Sequence, residues 1–238
     1  MKNSSKWLFR IIATILIIAT IIFGTTKVLE YQPSSKAEDA AKSSTQVLNT
    51  TKFQGDDSKP MVIFYPGALV DPKSYSIWAE KVAAAGYSVY IVRFTLDLAV
   101  LNPNVAKKIQ QNKNYIIGGH SLGGTMAARY AHDNPKDLKG VFFLASYPEE
   151  KGDLKKAKVP VLSITGTNDG VLNQSKFNGA KKYLPTTTVY TQITGGNHAG
   201  FGSYGKQRHD KKASISNARQ QDEISNILIT WLNNSVIK

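Results

Sequence analysis

The chain has 238 residues, 42% of them hydrophobic, and a formal net charge of +13 at pH 7, which is room for one sizeable domain with an appendage. It contains no cysteine, and this excludes disulfides, thiolate metal sites and a cysteine nucleophile. The positive charge is scattered through Lys107, Lys108, Lys155, Lys156, Lys181, Lys182, Lys211 and Lys212 rather than gathered into one stripe, and no nucleic-acid-binding motif accompanies it. It therefore reads as solvated basic surface, with affinity for an anionic envelope or membrane surface as the alternative, and nucleic acid is not an expected partner.

Residues 7 to 23, WLFRIIATILIIATIIF, are apolar apart from Arg10 and two threonines and would reach about 25 Å as a helix, close to the hydrocarbon thickness of a bilayer. The apolar stretch is longer than a secretory signal needs, and GTTKVLEYQP after it offers no small-x-small cleavage site. Residues 1–26 are thus expected to form a retained single-span membrane anchor, with secretion following if the segment is cleaved instead. Lys2, Lys6 and Arg10 precede or open the span and would keep the N-terminus cytoplasmic, placing the rest of the chain outside. Residues 27–58 are polar and rich in Ser, Thr and Lys, which predicts a linker. Its last part, TQVLNTTKF, is a candidate edge strand.

From residue 59 to 238 short apolar runs alternate with helical stretches. MVIFY (61–65) predicts a buried strand, SYSIWAEKVAAAG a helix ended by Gly86, and YSVYIVRF (87–94) a second strand. A helical stretch near 104–112 leads to the strand NYIIGG, a helix over 122–133, the strands GVFFLAS and VPVLSITG, a helical stretch near 173–182 and the strand TTVYTQITG. In the last helix, 216–234, Ile224, Ile227, Leu228, Trp231 and Leu232 repeat on one face. This alternation implies an α/β domain: a mostly parallel twisted sheet with helices on both faces, whose ligands sit at the carboxyl ends of the strands.

The stretch YIIGGHSLGGTMAARYA holds Ser121 between Gly119 and Gly123. A G-x-S-x-G pattern alone arises by chance in about one chain in ten of this length, so its context decides. Here it lies between a strand and a helix, the setting of a nucleophile elbow, where side chains at 119 and 123 would clash and the serine hydroxyl is held clear of the sheet. The amide of Leu122 and the positive end of the helix then face any charge developing beside that hydroxyl. A serine needs a base, and the base an orienting acid. Of the four histidines, His198 follows the last predicted strand in ITGGNHAGFG, with His209 as fallback; His120 is expected to point elsewhere and His132 lies along the helix. Asp169 in VLSITGTNDG follows another strand end, with Asp97 as competitor and a simple turn aspartate as the alternative reading.

The elbow GHSLGG, the loops TGTNDG and GGNHAGF, and FYPGALV after the first core strand together resemble the α/β-hydrolase superfamily over nearly all of residues 60 to 238, in its compact dienelactone-hydrolase-like branch. That branch's typical enzyme carries a cysteine where this chain has Ser121. The resemblance implies an α/β-hydrolase fold, a Ser121–His198–Asp169 triad, and an oxyanion hole from the amides of Leu122 and Ala68, with Gly67 keeping the loop close. It implies acyl transfer to water on a small-molecule carboxylic ester, with no metal and no cofactor; thioesters, amides and other acyl acceptors suit the same machinery, and a non-catalytic binding protein is the other class. About 14 residues separate GVFFLAS from VPVLSITG, too few for a lid domain, so an open site is expected. The loop AGFGSYGKQRHDKKA, with Phe201 and Tyr204, is a candidate flap over an anionic substrate or else a solvated loop.

Overall fold

The computed structural model describes residues 28–236 and, before them, Trp7, residues 11–14, Ile17, Thr20 and Gly24. The apolar segment 7–23 therefore lies mostly outside the described residues. Among those described, no helix is long and apolar enough to cross a membrane. The chain divides into Met1–Glu30 and a second unit, Tyr31–Lys238, and the second unit carries the sheet and the site.

Eight strands form one sheet: β1 (Thr45–Val47), β2 (Thr50–Phe53), β3 (Met61–Tyr65), β4 (Val89–Val92), β5 (Tyr115–His120), β6 (Leu138–Leu144), β7 (Val161–Gly166) and β8 (Val189–Ile193). Their order is β1-β2-β4-β3-β5-β6-β7-β8. The β1–β2 hairpin and its junction with β4 are antiparallel, and every later pairing is parallel. The central strands are buried on both faces, which is why MVIFY and YIIGGH read as unbroken apolar or small-residue runs.

The helices are α1 (Ser35–Ala41), α2 (Ser76–Ala84), α3 (Ala106–Gln110), α4 (Leu122–Asp133), α5 (Gln174–Ala180) and α6 (Asn217–Trp231). Alternation along β3 sorts them onto two faces. Val62 and Phe64 enter one core with Trp78 and Val82 of α2 and Ile224, Leu228 and Trp231 of α6. Met61, Ile63 and Tyr65 enter the other with Ala106 and Ile109 of α3 and Met126, Ala127 and Ala131 of α4. Between β6 and β7 the chain makes only a 3-10 turn, Glu150–Gly152, so no lid covers that side.

The linker expected over residues 27–58 is corrected by the structure. The folded unit starts at Tyr31, which bridges to Val70. Ser34 caps α1 by accepting the Ala37 amide at 3.3 Å, Ala37 is wholly buried, and TQVLNTTKF, expected as one edge strand, forms instead the two-stranded β1–β2 hairpin at the sheet edge. The physical reason is economy of burial. A few well-placed residues, Tyr31, Ala37 and Phe53, dock a segment whose serines serve as caps and turn formers, so its average polarity says little. Ala37→Glu tests this: a tether would not respond, whereas a charge forced against α2 should remove at least about 2 kcal/mol of stability, read as a lower urea midpoint.

Candidate active site

Ser121 lies between the end of β5 and the start of α4 with φ 52 and ψ −125, a backbone geometry that a residue with a side chain holds only when its surroundings over-determine it. Those surroundings are close backbone. A Cβ on Gly119 would stand 2.5 Å from the Gly123 carbonyl carbon, and one on Gly123 would stand 2.2 Å from the carbonyl oxygens of Tyr65 and Pro66. Hydrogen bonds then close the turn: the Ser121 amide donates to Leu144 at 3.1 Å, and its carbonyl accepts from the Gly124 amide at 3.1 Å and from the Ser146 hydroxyl at 2.6 Å.

Among the described residues the amides of Leu122 and Ala68 have no protein acceptor. Leu122 opens the 12-residue helix α4, where the helix dipole adds positive potential. Ser121, Leu122 and Ala68 are all partly exposed, and they follow the carboxyl ends of the neighbouring parallel strands β5 and β3.

Asp169 follows β7 and His198 follows β8, and their side chains meet: His198 Nδ1 lies 2.9 Å from Asp169 Oδ2, with side-chain exposures of 1% and 0%. The other oxygen, Oδ1, accepts the amides of Val171 at 2.8 Å and Leu172 at 2.7 Å. The aspartate thus gives one oxygen to the turn and the other to the histidine. A carboxylate only accepts, so Nδ1 carries the imidazole proton and Nε2 presents its lone pair. Nε2 is buried and has no protein partner. The His198 ring is 4.5 Å from that of His120, the residue before Ser121, which brings the base to the elbow.

The remaining candidates lie elsewhere. His132 engages the Asp153 carbonyl at 2.6 Å on the surface, His209 is exposed, and Asp97 pairs with Arg93 at 3.3 Å. Two expectations change. His120 does not turn away: it is buried against His198, and its Nδ1 lies 2.9 Å from the Tyr75 hydroxyl. Phe201 and Tyr204 form no flap, because both are buried, Phe201 in a 3-10 turn after His198 and Tyr204 with its ring 5.3 Å from that of Tyr31. Apolar bulk in a glycine-rich loop has gone inward here.

Asp210 is a support that sequence reasoning missed. Its Oδ1 accepts the Gly170 amide at 3.0 Å and its Oδ2 the Ala199 amide at 2.8 Å, joining the turn after Asp169 to the turn after His198. Nothing in KQRHDKK marks it, since an aspartate among lysines reads as local charge balance.

The profile of the Alpha/beta hydrolase family matches residues 61–222, and the chain belongs to that family. No curated protein matches it in sequence. Among solved structures it is similar to MGS-MChE2, an alpha/beta hydrolase enzyme from the metagenome of lagoon sediments at Mar Chica, Morocco, with TM-score 0.58 and 16% identity over 80% of this chain and 97% of that one. It is also similar to the esterase domain of a Rhodothermus marinus protein (TM-score 0.59, 13% identity, 79% and 92% covered) and to a dienelactone hydrolase from Anabaena variabilis (TM-score 0.55, 15% identity, 79% and 91% covered). At these identities the likeness is one of fold.

Burial, and secondarily the neighbouring His198, holds His120 well below the ordinary imidazole value, so the folded protein keeps it neutral while the unfolded chain protonates it in mild acid. Because the unfolded state then binds the extra proton, stability falls as pH drops below about 6.5, by about 1.4 kcal/mol one unit lower. Urea unfolding at pH 7.5 and 5.5 should show this fall, and His120→Gln should lose that share of it.

Proposed function

We propose that this chain is a serine hydrolase that cleaves carboxylic esters through an acyl-enzyme on Ser121. The observation that carries the reading is the buried His198–Asp169 pair at 2.9 Å, whose unpartnered Nε2 belongs to a ring 4.5 Å from that of His120, the residue before the strained Ser121. His198 takes the proton as Ser121 Oγ bonds to the ester carbonyl carbon. The oxyanion accepts hydrogen bonds from the Leu122 and Ala68 amides, and the protonated His198 then gives its proton to the departing alcohol. Water repeats the sequence and releases the acid. Every step is carried by groups of this chain.

The short β6–β7 connection and the partly exposed serine suit a small or soluble ester that enters without a lid opening. The esterase domain and the dienelactone hydrolase among the structural neighbours are in keeping with an ester substrate. Ser121→Ala should lower hydrolysis of a short p-nitrophenyl ester by at least about a thousandfold and abolish labelling by a fluorophosphonate. Undiminished labelling of that variant would sink the nucleophile, and an unlabelled parent chain would favour a binding protein on a hydrolase fold.

We further propose that residues 7–23 anchor the enzyme in the membrane with the hydrolase domain on the outer face. The support is the sequence of residues 7–23, apolar apart from Arg10 and two threonines, with Lys2 and Lys6 before it. Protease added to intact cells should remove the hydrolase domain while the chain stays with the membrane fraction; a protected domain or a freely soluble chain would refute the placement.

A further inference from the structure

We propose that Tyr75 is the positioning residue of the oxyanion hole, holding the Ala68 amide in place by a hydrogen-bond chain through its hydroxyl; the inference rests on the Ser121 acyl-transfer reading. Tyr75 ends the 3-10 turn Pro72–Tyr75 and is wholly buried. Its hydroxyl accepts the Gly67 amide at 2.9 Å and lies 2.9 Å from His120 Nδ1.

The Tyr75 hydroxyl serves two partners at once. Burial raises the phenol well above its ordinary value, so it keeps its proton. An amide can only donate, so the phenol oxygen accepts at Gly67, and the same hydroxyl pairs with Nδ1 of His120, a ring that burial keeps neutral. The Tyr75 hydroxyl therefore links the Gly67 amide to His120 Nδ1 in one continuous chain. It ends on the ring that stands 4.5 Å from that of His198, and so ties the loop to the base.

The consequence falls on Ala68. Of the consecutive amides at 67, 68 and 69, the first donates to Tyr75 at 2.9 Å and the last to the Asp97 carbonyl at 3.0 Å, and the middle one alone has no acceptor. Leu69 adopts φ 57, and its carbonyl accepts the Tyr31 amide at 2.7 Å, so the loop is held on both sides of the free donor. There is no slack at Gly67 either, where an added Cβ would stand 2.8 Å from His120 Nδ1 and 3.2 Å from the Tyr75 hydroxyl. A phenylalanine would fill the same core volume beside Phe64, whose ring centroid lies 4.8 Å away. The hydroxyl is what the loop requires.

The experiment compares the parent chain with Tyr75→Phe on a short p-nitrophenyl ester and with an alkyl trifluoromethyl ketone, to which Ser121 Oγ adds so that the carbonyl oxygen becomes the oxyanion. A misplaced donor should lower kcat about 10- to 100-fold, leave KM within about twofold, and weaken the ketone in parallel with kcat/KM. Gly67→Ala keeps every hydrogen-bonding group and pushes the two partners apart, so it should give the same pattern; it supplies the readout if Tyr75→Phe fails to fold. A folded Tyr75→Phe with the parent's kcat and ketone affinity overturns the inference, as does a loss confined to KM. A parent chain that neither hydrolyses the ester nor labels at Ser121 overturns the acyl-transfer reading itself, which separates the two failures.

Discussion

The turn at Ser121 is the constraint on which the rest of the site depends. A serine at φ 52 and ψ −125 costs on the order of 1–3 kcal/mol and survives only where neighbouring backbone leaves no alternative. Gly119 and Gly123 permit that approach, with carbonyl groups of β3 and its exit packed against the first turn of α4. The same approach brings the loop after β3 beside the helix that begins at Leu122. One crowded corner thus both projects the hydroxyl and draws two unpaired amides to its edge. Relaxing either glycine contact would separate these features together, which ties the elbow and the oxyanion loop into one element.

The sheet supplies the remaining coincidence. Because β5, β7 and β8 run parallel, their carboxyl ends share an edge, and the loops that leave them carry Ser121, Asp169 and His198 without long excursions. Parallel strands alone would leave these loops free to wander. They are closed by groups without reactive chemistry: Ser146 on the Ser121 carbonyl, Asp210 between the acid and histidine turns, and Tyr75 beneath the β3 loop. The proposed reacting groups are few, and their loops are held by one donor, Ser146, and two acceptors, Asp210 and Tyr75, whose loss would leave a backbone carbonyl or backbone amides unpaired.

This division of labour explains which features are legible in the sequence. Strands such as MVIFY and the helix over 122–133 are readable because apolar period and glycine placement are local signals, and the placement of Ser121, Asp169 and His198 after strand ends is readable because each lies in a turn-rich motif. The hydrolase family and its mostly parallel sheet follow from the same local signals. Residues 31–58 read wrongly as a linker because docking depends on where a few residues land, which mean polarity does not record. His120 reads wrongly from its place in the turn, because the direction of its side chain is set by Tyr75, 45 positions away in the chain. Phe201 and Tyr204 read as exposed for a similar reason: their partners, His120 and Tyr31, are distant in sequence.

The segment that opens the folded unit belongs to this scaffold. Tyr31 donates its amide to Leu69 at 2.7 Å and accepts from the Asp71 amide at 3.1 Å, while the Ser34 amide donates to the Ser203 carbonyl at 2.7 Å. One short stretch therefore holds both the loop that bears Ala68 and the loop that follows His198. Ser203 in turn hydrogen-bonds Asn217 at 2.8 Å, which carries the connection to the start of α6. A lidless hydrolase has no cap domain to brace the rim of its site, and here bracing comes from the chain's own N-terminal approach. Tyr31 and Tyr75 grip the first of these loops, Ser34 and Asp210 the second, so the donor and the base are each fixed through two partners and the site owes its rigidity to both.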